Sequence, residues 1–114
     1  MSNEQYQSVV AALQKCREAC LYCYRSCFEE DANHMARCIQ TNQECATICA
    51  QFEQALFFDT QFIESYAKLC IEACQVCGYE CAKHEHDHCQ ECAKACYACA
   101  DACKALLSSK VSSN

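Results

Sequence analysis

The amino-acid sequence predicts an all-α fold, an antiparallel up-down-up-down four-helix bundle with a cysteine-lined core. Its 114 residues contain no Pro and a single Gly, Gly78, so almost nothing interrupts a helix, and Ala, Glu, Gln, Lys and Leu are plentiful. Three short polar breaks, Glu29-Glu30-Asp31-Ala32-Asn33, Phe58-Asp59-Thr60 and Lys83-His84-Glu85-His86-Asp87, divide the chain into four long segments. In the first, third and fourth segments the cysteines recur at intervals of three and four residues, and in the second at seven and four with Asn42 between, the spacing of one helix face.

These breaks give a single domain, residues 1–114, with helices over 3–29, 33–58, 60–84 and 88–108. In the first helix Tyr6, Val9, Leu13, Cys16, Cys20, Cys23 and Cys27 share one stripe. Ser2 with Gln5 fits a capping box at its start. The second helix carries Met35, Cys38, Asn42, Cys45, Cys49, Phe52 and Leu56, with Asp31 or Asn33 as the capping residue. The third carries Ile63, Tyr66 or Ala67, Cys70, Cys74, Cys77, Cys81 and His84, capped by Asp59 or Thr60. The fourth carries Cys89, Cys92, Cys96, Cys99, Cys103 and Leu106, and Asp87 with Gln90 again fits a capping box. A stripe of this kind is the face a bundle buries, so all sixteen cysteines point inward.

Short connections between long helices favour antiparallel neighbours. The stripes are graded to suit that topology: helices one and three run from apolar residues to cysteine, helices two and four from cysteine to apolar residues. Antiparallel packing then gathers Tyr6, Val9, Leu13, Phe52, Leu56, Ile63 and Leu106 into a plug at one end. His34, Met35, His84, His86 and His88 gather at the other, where the cysteines open. The chain also repeats weakly, residues 1–58 resembling 59–114, with Cys-x3-Cys-x2-Cys-x3-Cys in the first helix of both halves.

Composition bounds the function. A net charge of −6 argues against a nucleic-acid partner, which calls for a basic face. No apolar stretch approaches a membrane span. The opening MSNEQYQSVVAALQK lacks the basic start, apolar run and small-residue cleavage site of an export signal, which points to the cytoplasm. Thiols stay reduced there, so cysteine at about 14% of the chain reads as metal binding rather than a disulfide framework.

Neighbouring thiolates on one stripe lie about 5–6 Å apart at Cβ and converge on a shared ion with small rotamer changes. Facing helices supply further sulfurs across about 8–10 Å. Charge selects the metal, because uncompensated buried ions cost several kcal/mol each. Tetrahedral Zn(II) with four sulfurs per ion would leave about half of the thiolate charge unbalanced. Cu(I), at about one ion per cysteine, neutralises the core, and its softness suits thiolate and thioether ligands. The candidate ligands are Cys16, Cys20, Cys23, Cys27, Cys38, Cys45, Cys49, Cys70, Cys74, Cys77, Cys81, Cys89, Cys92, Cys96, Cys99 and Cys103. His34, Met35, His84, His86 and His88 join them at the mouth.

Other readings stand beside this one. Disulfide-stapled hairpins require Cβ placements that a single stripe disfavours. Iron–sulfur ligation lacks its C-x2-C-x2-C-x3-C-P run. Cys-x2-Cys pairs such as Cys20/Cys23 signal redox catalysis in a βαβ context, whereas here helical repetition accounts for them. No catalytic constellation is evident, so a binding protein rather than an enzyme is expected, with a general Zn(II) thiol buffer or a thiol redox protein as alternatives. The histidines also fit a plain polar turn, and Met35 fits rim packing. Asn42 reads as a buried register-setting residue and Gly78 as relief of close helix packing. Tyr22, Tyr24, Phe28 and Tyr97 lie off the stripes, either as surface for another subunit or as side-on packing.

The segments Cys16-Arg-Glu-Ala-Cys20-Leu-Tyr-Cys23, Glu44-Cys45-Ala-Thr-Ile-Cys49, Cys70-Ile-Glu-Ala-Cys74-Gln-Val-Cys77 and Lys83-His84-Glu-His86-Asp-His88-Cys89-Gln-Glu-Cys92 together resemble the bacterial copper storage proteins over nearly the whole chain. The resemblance implies Cu(I) held inside a four-helix bundle. With no export signal it implies the cytosolic branch, a homotetramer with histidines near its open end, matched here by His84, His86 and His88. A copper chaperone is the delivering partner such a store calls for. Helix two departs from the pattern in holding three cysteines, with Asn42 in the intervening place, so capacity does not transfer from another member.

Overall fold

The computed structural model describes residues 4–112, so the proposed Ser2 cap lies outside the described residues. Among the described residues there are four helices, α1 (Glu4–Cys27), α2 (Ala36–Phe57), α3 (Ile63–Ala82) and α4 (Asp87–Ser112). Each packs against two neighbours in the cyclic order α1–α2–α3–α4, giving an elongated bundle of 49 × 22 × 20 Å. Sulfur pairs show that sequence neighbours run antiparallel: Cys16 meets Cys45 while Cys23 meets Cys38, and Cys49 meets Cys70 while Cys38 meets Cys81. The same holds for α1 against α4, where Cys16 meets Cys96 and Cys23 meets Cys89.

The apolar plug forms as the stripes require. Val9, Leu13, Phe52, Leu56, Ile63 and Leu106 are buried, and Tyr6 packs half-buried against them. Between the two candidates on α3, Ala67 takes the buried position, while Tyr66 lies at its side with its ring stacked on Phe52 at 5.8 Å. Gly78 lies where α3 meets α4: a Cβ there would stand 2.8 Å from the Tyr97 ring, which would have to shift. Tyr97 thus packs side-on, and Tyr24 packs edge-on against Phe28 at 5.3 Å. Tyr22 and Phe28 stay exposed on the outer surface, together with Phe57, Phe58 and Phe62 near the plug.

The connections differ from expectation in local detail. Asp59 does not cap α3; it closes α2 with φ 56, a left-handed conformation that Asp tolerates. The N–H of Thr60 donates to the Ala55 carbonyl and that of Asp59 to Leu56, the paired bonds of a Schellman ending. Thr60 Oγ1 accepts from the Phe62 N–H, and α3 starts only at Ile63, with Phe62 in the N-cap position. Likewise α2 starts after Met35, while Asp31 Oδ1 accepts from Asn33 and His34 N–H groups in the preceding turn. Gln90 does not reach back to complete a capping box; its amide donates to the Ala82 and His84 carbonyls and ties down the last connection. Helix α4 continues past 108 to Ser112.

Candidate metal centre

Every cysteine is free, and all sixteen are fully buried. Neighbouring sulfurs stand 3.5–3.9 Å apart, far beyond the roughly 2.05 Å of a disulfide and close enough to share an ion. Intrahelical clamps appear where the four-residue spacing puts them, at Cys23/Cys27, Cys70/Cys74 and Cys77/Cys81, each 3.9 Å. Contacts also cross the core, such as Cys16 to Cys74 on the opposite helix at 3.9 Å.

The sulfurs assemble into groups drawn from several helices. Cys16, Cys49, Cys74 and Cys99 form one, with one ligand from each helix. Further along the axis lie Cys16/Cys20/Cys45/Cys96, Cys20/Cys77/Cys92/Cys96, Cys23/Cys81/Cys92 and finally Cys23/Cys27/Cys38/Cys89 at the mouth. Ligand atoms within each group lie within 4.8 Å of one another. The groups share corners: Cys16, Cys20, Cys23, Cys92 and Cys96 each belong to at least two. The result is one continuous sulfur column rather than a set of isolated sites.

Without metal, these thiols solvate one another. Hydrogen bonds, led by that from Cys20, hold the Cys16 thiol well below its ordinary range, and the same contact with Cys16 pushes the Cys20 thiol up. At Cys45 the contact with Cys16 opposes ionisation, but Cys20, Cys49 and Cys74 outweigh it and bring the thiol down to about 7. Burial raises Cys27 and Cys89 at the mouth. Lowered and raised thiols therefore stand side by side in the core.

The histidines separate into two pairs. His88 Nδ1 lies 3.3 Å from Cys23 Sγ and 3.5 Å from Cys89 Sγ, so this ring joins the sulfur column. His86 stacks on it at 5.3 Å, and Glu30 Oε1 stands 3.5–3.6 Å from a nitrogen of each ring. His84 is buried but turns its Nε2 to Glu80 Oε2 at 3.0 Å, with exposed His34 edge-on beside it at 5.5 Å. Burial opposes the charge on Glu80, yet the bond from His84 and the ammonium of Lys83 hold its carboxyl below the ordinary value. Met35 is fully buried in the core beside the first turn of α2.

Two participants were not singled out from sequence. Glu80 is signalled by its four-residue spacing from His84, but Glu30 reaches His86 and His88 only through the tertiary fold. Asn42, read as a register residue, turns out to be hydrogen-bonded to cysteine on three helices. Its Oδ1 accepts from Cys77 at 3.4 Å and from Cys81 and Cys92 at 3.5 Å, and its Nδ2 donates to Cys38 at 3.8 Å.

Family comparison matches the sequence profile described as "Copper storage protein" to residues 2–108. The chain belongs to the copper storage protein family. Among family relatives of known structure it is similar to the Cu(I)-bound copper storage protein BsCsp3, with 40% identity, a TM-score of 0.86, and coverage of 90% of this chain and 98% of that one. A cytosolic copper storage protein from Streptomyces lividans, determined with five coppers, aligns with TM-score 0.89 at 31% identity over 92% of this chain and 93% of that one. The uncharacterized cysteine-rich protein YhjQ of Bacillus subtilis (strain 168) is 43% identical over 105 residues, 90% of this chain and 97% of its own length. Among the described residues no helix is long and apolar enough to cross a membrane.

Proposed function

We propose that this chain is a high-capacity cytosolic store for Cu(I), binding the ions by cysteine thiolates inside the bundle and protecting the cytosol from copper toxicity. The observation that carries this reading is the continuous column of buried, unpaired sulfurs with shared corners. The proposed ligands are the sixteen cysteines with His88, and His34, Met35, His84 and His86 surround the entrance. Loading at about one ion per cysteine balances the thiolate charge with monovalent metal. The role is binding, without turnover.

Zn(II) is the competing reading, because sulfurs about 3.8 Å apart are also the edges of a tetrahedron with Zn–S near 2.3 Å. Corner sharing and charge favour Cu(I). Separate four-sulfur Zn(II) sites cannot all be filled when Cys16, Cys20, Cys23, Cys92 and Cys96 each serve at least two groups. Bridging thiolates accommodate that sharing for a soft monovalent ion. The exposed Tyr22, Phe28 and Tyr97 support assembly of several copies, the homotetramer that the cytosolic branch implies, with a copper chaperone delivering the metal.

Anaerobic titration of the reduced protein with Cu(I) against a competing chelator, run beside Zn(II), tests the proposal. Saturation near one copper per cysteine supports it. Saturation near one ion per four cysteines, or preference for Zn(II), overturns it.

A further inference from the structure

The column is continuous at a spacing of 4.8 Å, but the sulfur–sulfur contacts of 3.9 Å or less do not run unbroken from mouth to plug. Among the described residues they form two sets. One, at the mouth, links Cys23 to Cys27, Cys38 and Cys89, and continues through Cys81 to Cys77. The other, deeper, joins Cys92 to Cys20 and continues through Cys96 and Cys16 toward the plug. Asn42 is fully buried between them and is hydrogen-bonded to both: its oxygen accepts from Cys77 and Cys81 of the outer set and from Cys92 of the inner set.

We infer that Asn42 forms a waist in the sulfur column, dividing the store into an outer and an inner pool, with Cys92 as the residue through which copper is handed across. This inference rests on the proposal that the chain stores Cu(I). The chemistry of the waist differs from that of the levels on either side. An amide oxygen is neutral and hard, a poor match for a soft monovalent ion, whereas the flanking levels present thiolates. That oxygen has two lone pairs and faces three S–H donors, so it also orients those thiols toward itself and away from a shared ion. The sulfur groups Cys23/Cys81/Cys92 and Cys20/Cys77/Cys92/Cys96 span this level at the wider spacing, and both contain Cys92.

Transfer across the waist is a ligand exchange at constant oxidation state. An ion held between Cys23 and Cys92 forms a bond to the Cys20 sulfur, 3.7 Å from Cys92, as its bond to Cys23 breaks. The Cys20 thiol proton passes to the vacated Cys23 sulfur, so charge and atoms balance and copper remains Cu(I). Asn42 is a positioning residue in this step, holding the three thiols that frame the crossing.

Stopped-flow loading of the reduced full-length chain with Cu(I), followed by sulfur-to-copper charge-transfer absorbance, tests the waist. The native chain should fill in two phases. Asn42→Cys should merge them into one. Cys92→Ser should slow the second phase about tenfold or more while leaving the first unchanged, in line with the effect of altering groups that support a metal site. Cys49→Ser, which removes a deep sulfur away from the waist, should lower the second amplitude and keep both rates, separating position from ligand count. Two phases with these responses support the inference; a single phase in the native chain, or equal slowing by Cys92→Ser and Cys49→Ser, overturns it. Equilibrium capacity reads the storage proposal separately: absence of tight Cu(I) uptake ends both, whereas full capacity reached in one phase ends only the waist.

Discussion

Replacing Phe52 with Ala should weaken the metal-free bundle severely while leaving its copper capacity intact. Phe52 is fully buried in the plug, and its ring stacks on Tyr66 with an interplanar angle of 4°. Truncating such a ring costs about 3–5 kcal/mol through lost burial and the cavity left behind. A chain of this length has a total stability of about 6–17 kcal/mol, so the variant remains folded but marginal. With a urea slope of about 2 kcal/mol/M, the unfolding midpoint of the reduced apo protein should drop by about 2 M. Copper opposes the loss, since each ion held at 100 times its dissociation constant adds about 2.7 kcal/mol. Two such ions offset the mutation. The assay pairs urea unfolding by circular dichroism, with and without Cu(I), with the anaerobic titration of capacity. Retained capacity together with a collapsed apo midpoint is the expected result. A capacity that falls by several ions, or an apo midpoint that moves by less than about 0.5 M, would refute the claim that plug and store are separate layers.

Uptake should depend on pH: burial raises the Cys27 and Cys89 thiols, so they are protonated at neutral pH and must lose protons on loading. Apparent Cu(I) affinity should therefore fall as pH falls, with proton release measurable in a pH-stat. His88→Ala should slow loading and removal, because His88 touches Cys23 and Cys89, whereas His84→Ala should leave both rates unchanged and lower only the thermal midpoint. Removing Glu53, which accepts from Arg17 at 2.6 Å and Gln14 at 2.7 Å, should cost about 1–2 kcal/mol, with a double-mutant cycle against Arg17→Ala assigning the share of the ion pair. Gly78→Ala should be close to neutral: it gains about 1 kcal/mol of helix propensity and spends it displacing the partly exposed Tyr97 ring, which tyrosine fluorescence would register.

What could be read in the sequence follows from which interactions are local. A helix stripe is a local property, so the inward placement of every cysteine and the order of plug and mouth were legible from spacing alone. Caps were less so. Asp59 satisfies a capping pattern for α3, but the competing demand at the end of α2 for a residue tolerant of positive φ took it instead. Gln90 satisfies a capping box, but carbonyls left open at the end of α3 lie within its reach. The histidine end shows the same limit. Four rings could be placed at one end by topology, yet only the packed structure shows that His88 faces sulfur while His84 faces Glu80. Asn42 was visible as an exception to the stripe, but the three hydrogen bonds its oxygen accepts join residues 35–50 positions apart in sequence and have no local signature.

The grading of the four stripes explains how one small fold can be both stable when empty and capacious when full. A thiol is a small apolar group, so a protonated sulfur column can be buried as ordinary core. It packs less area than Leu or Phe would, and the plug at the far end supplies large apolar side chains where no ligand is needed. Metal binding then replaces S–H···S contacts of 3.5–3.9 Å by bonds to an ion between the same sulfurs, without asking the backbone to move far. Under this arrangement the cost of assembling ligands is met by folding, before any metal arrives. A store built on flexible loops would have to order its ligands at each binding step. The same preorganisation makes the amide within the column conspicuous: in a core where the neighbouring levels offer thiols, a neutral amide changes how copper moves more than how much can be held.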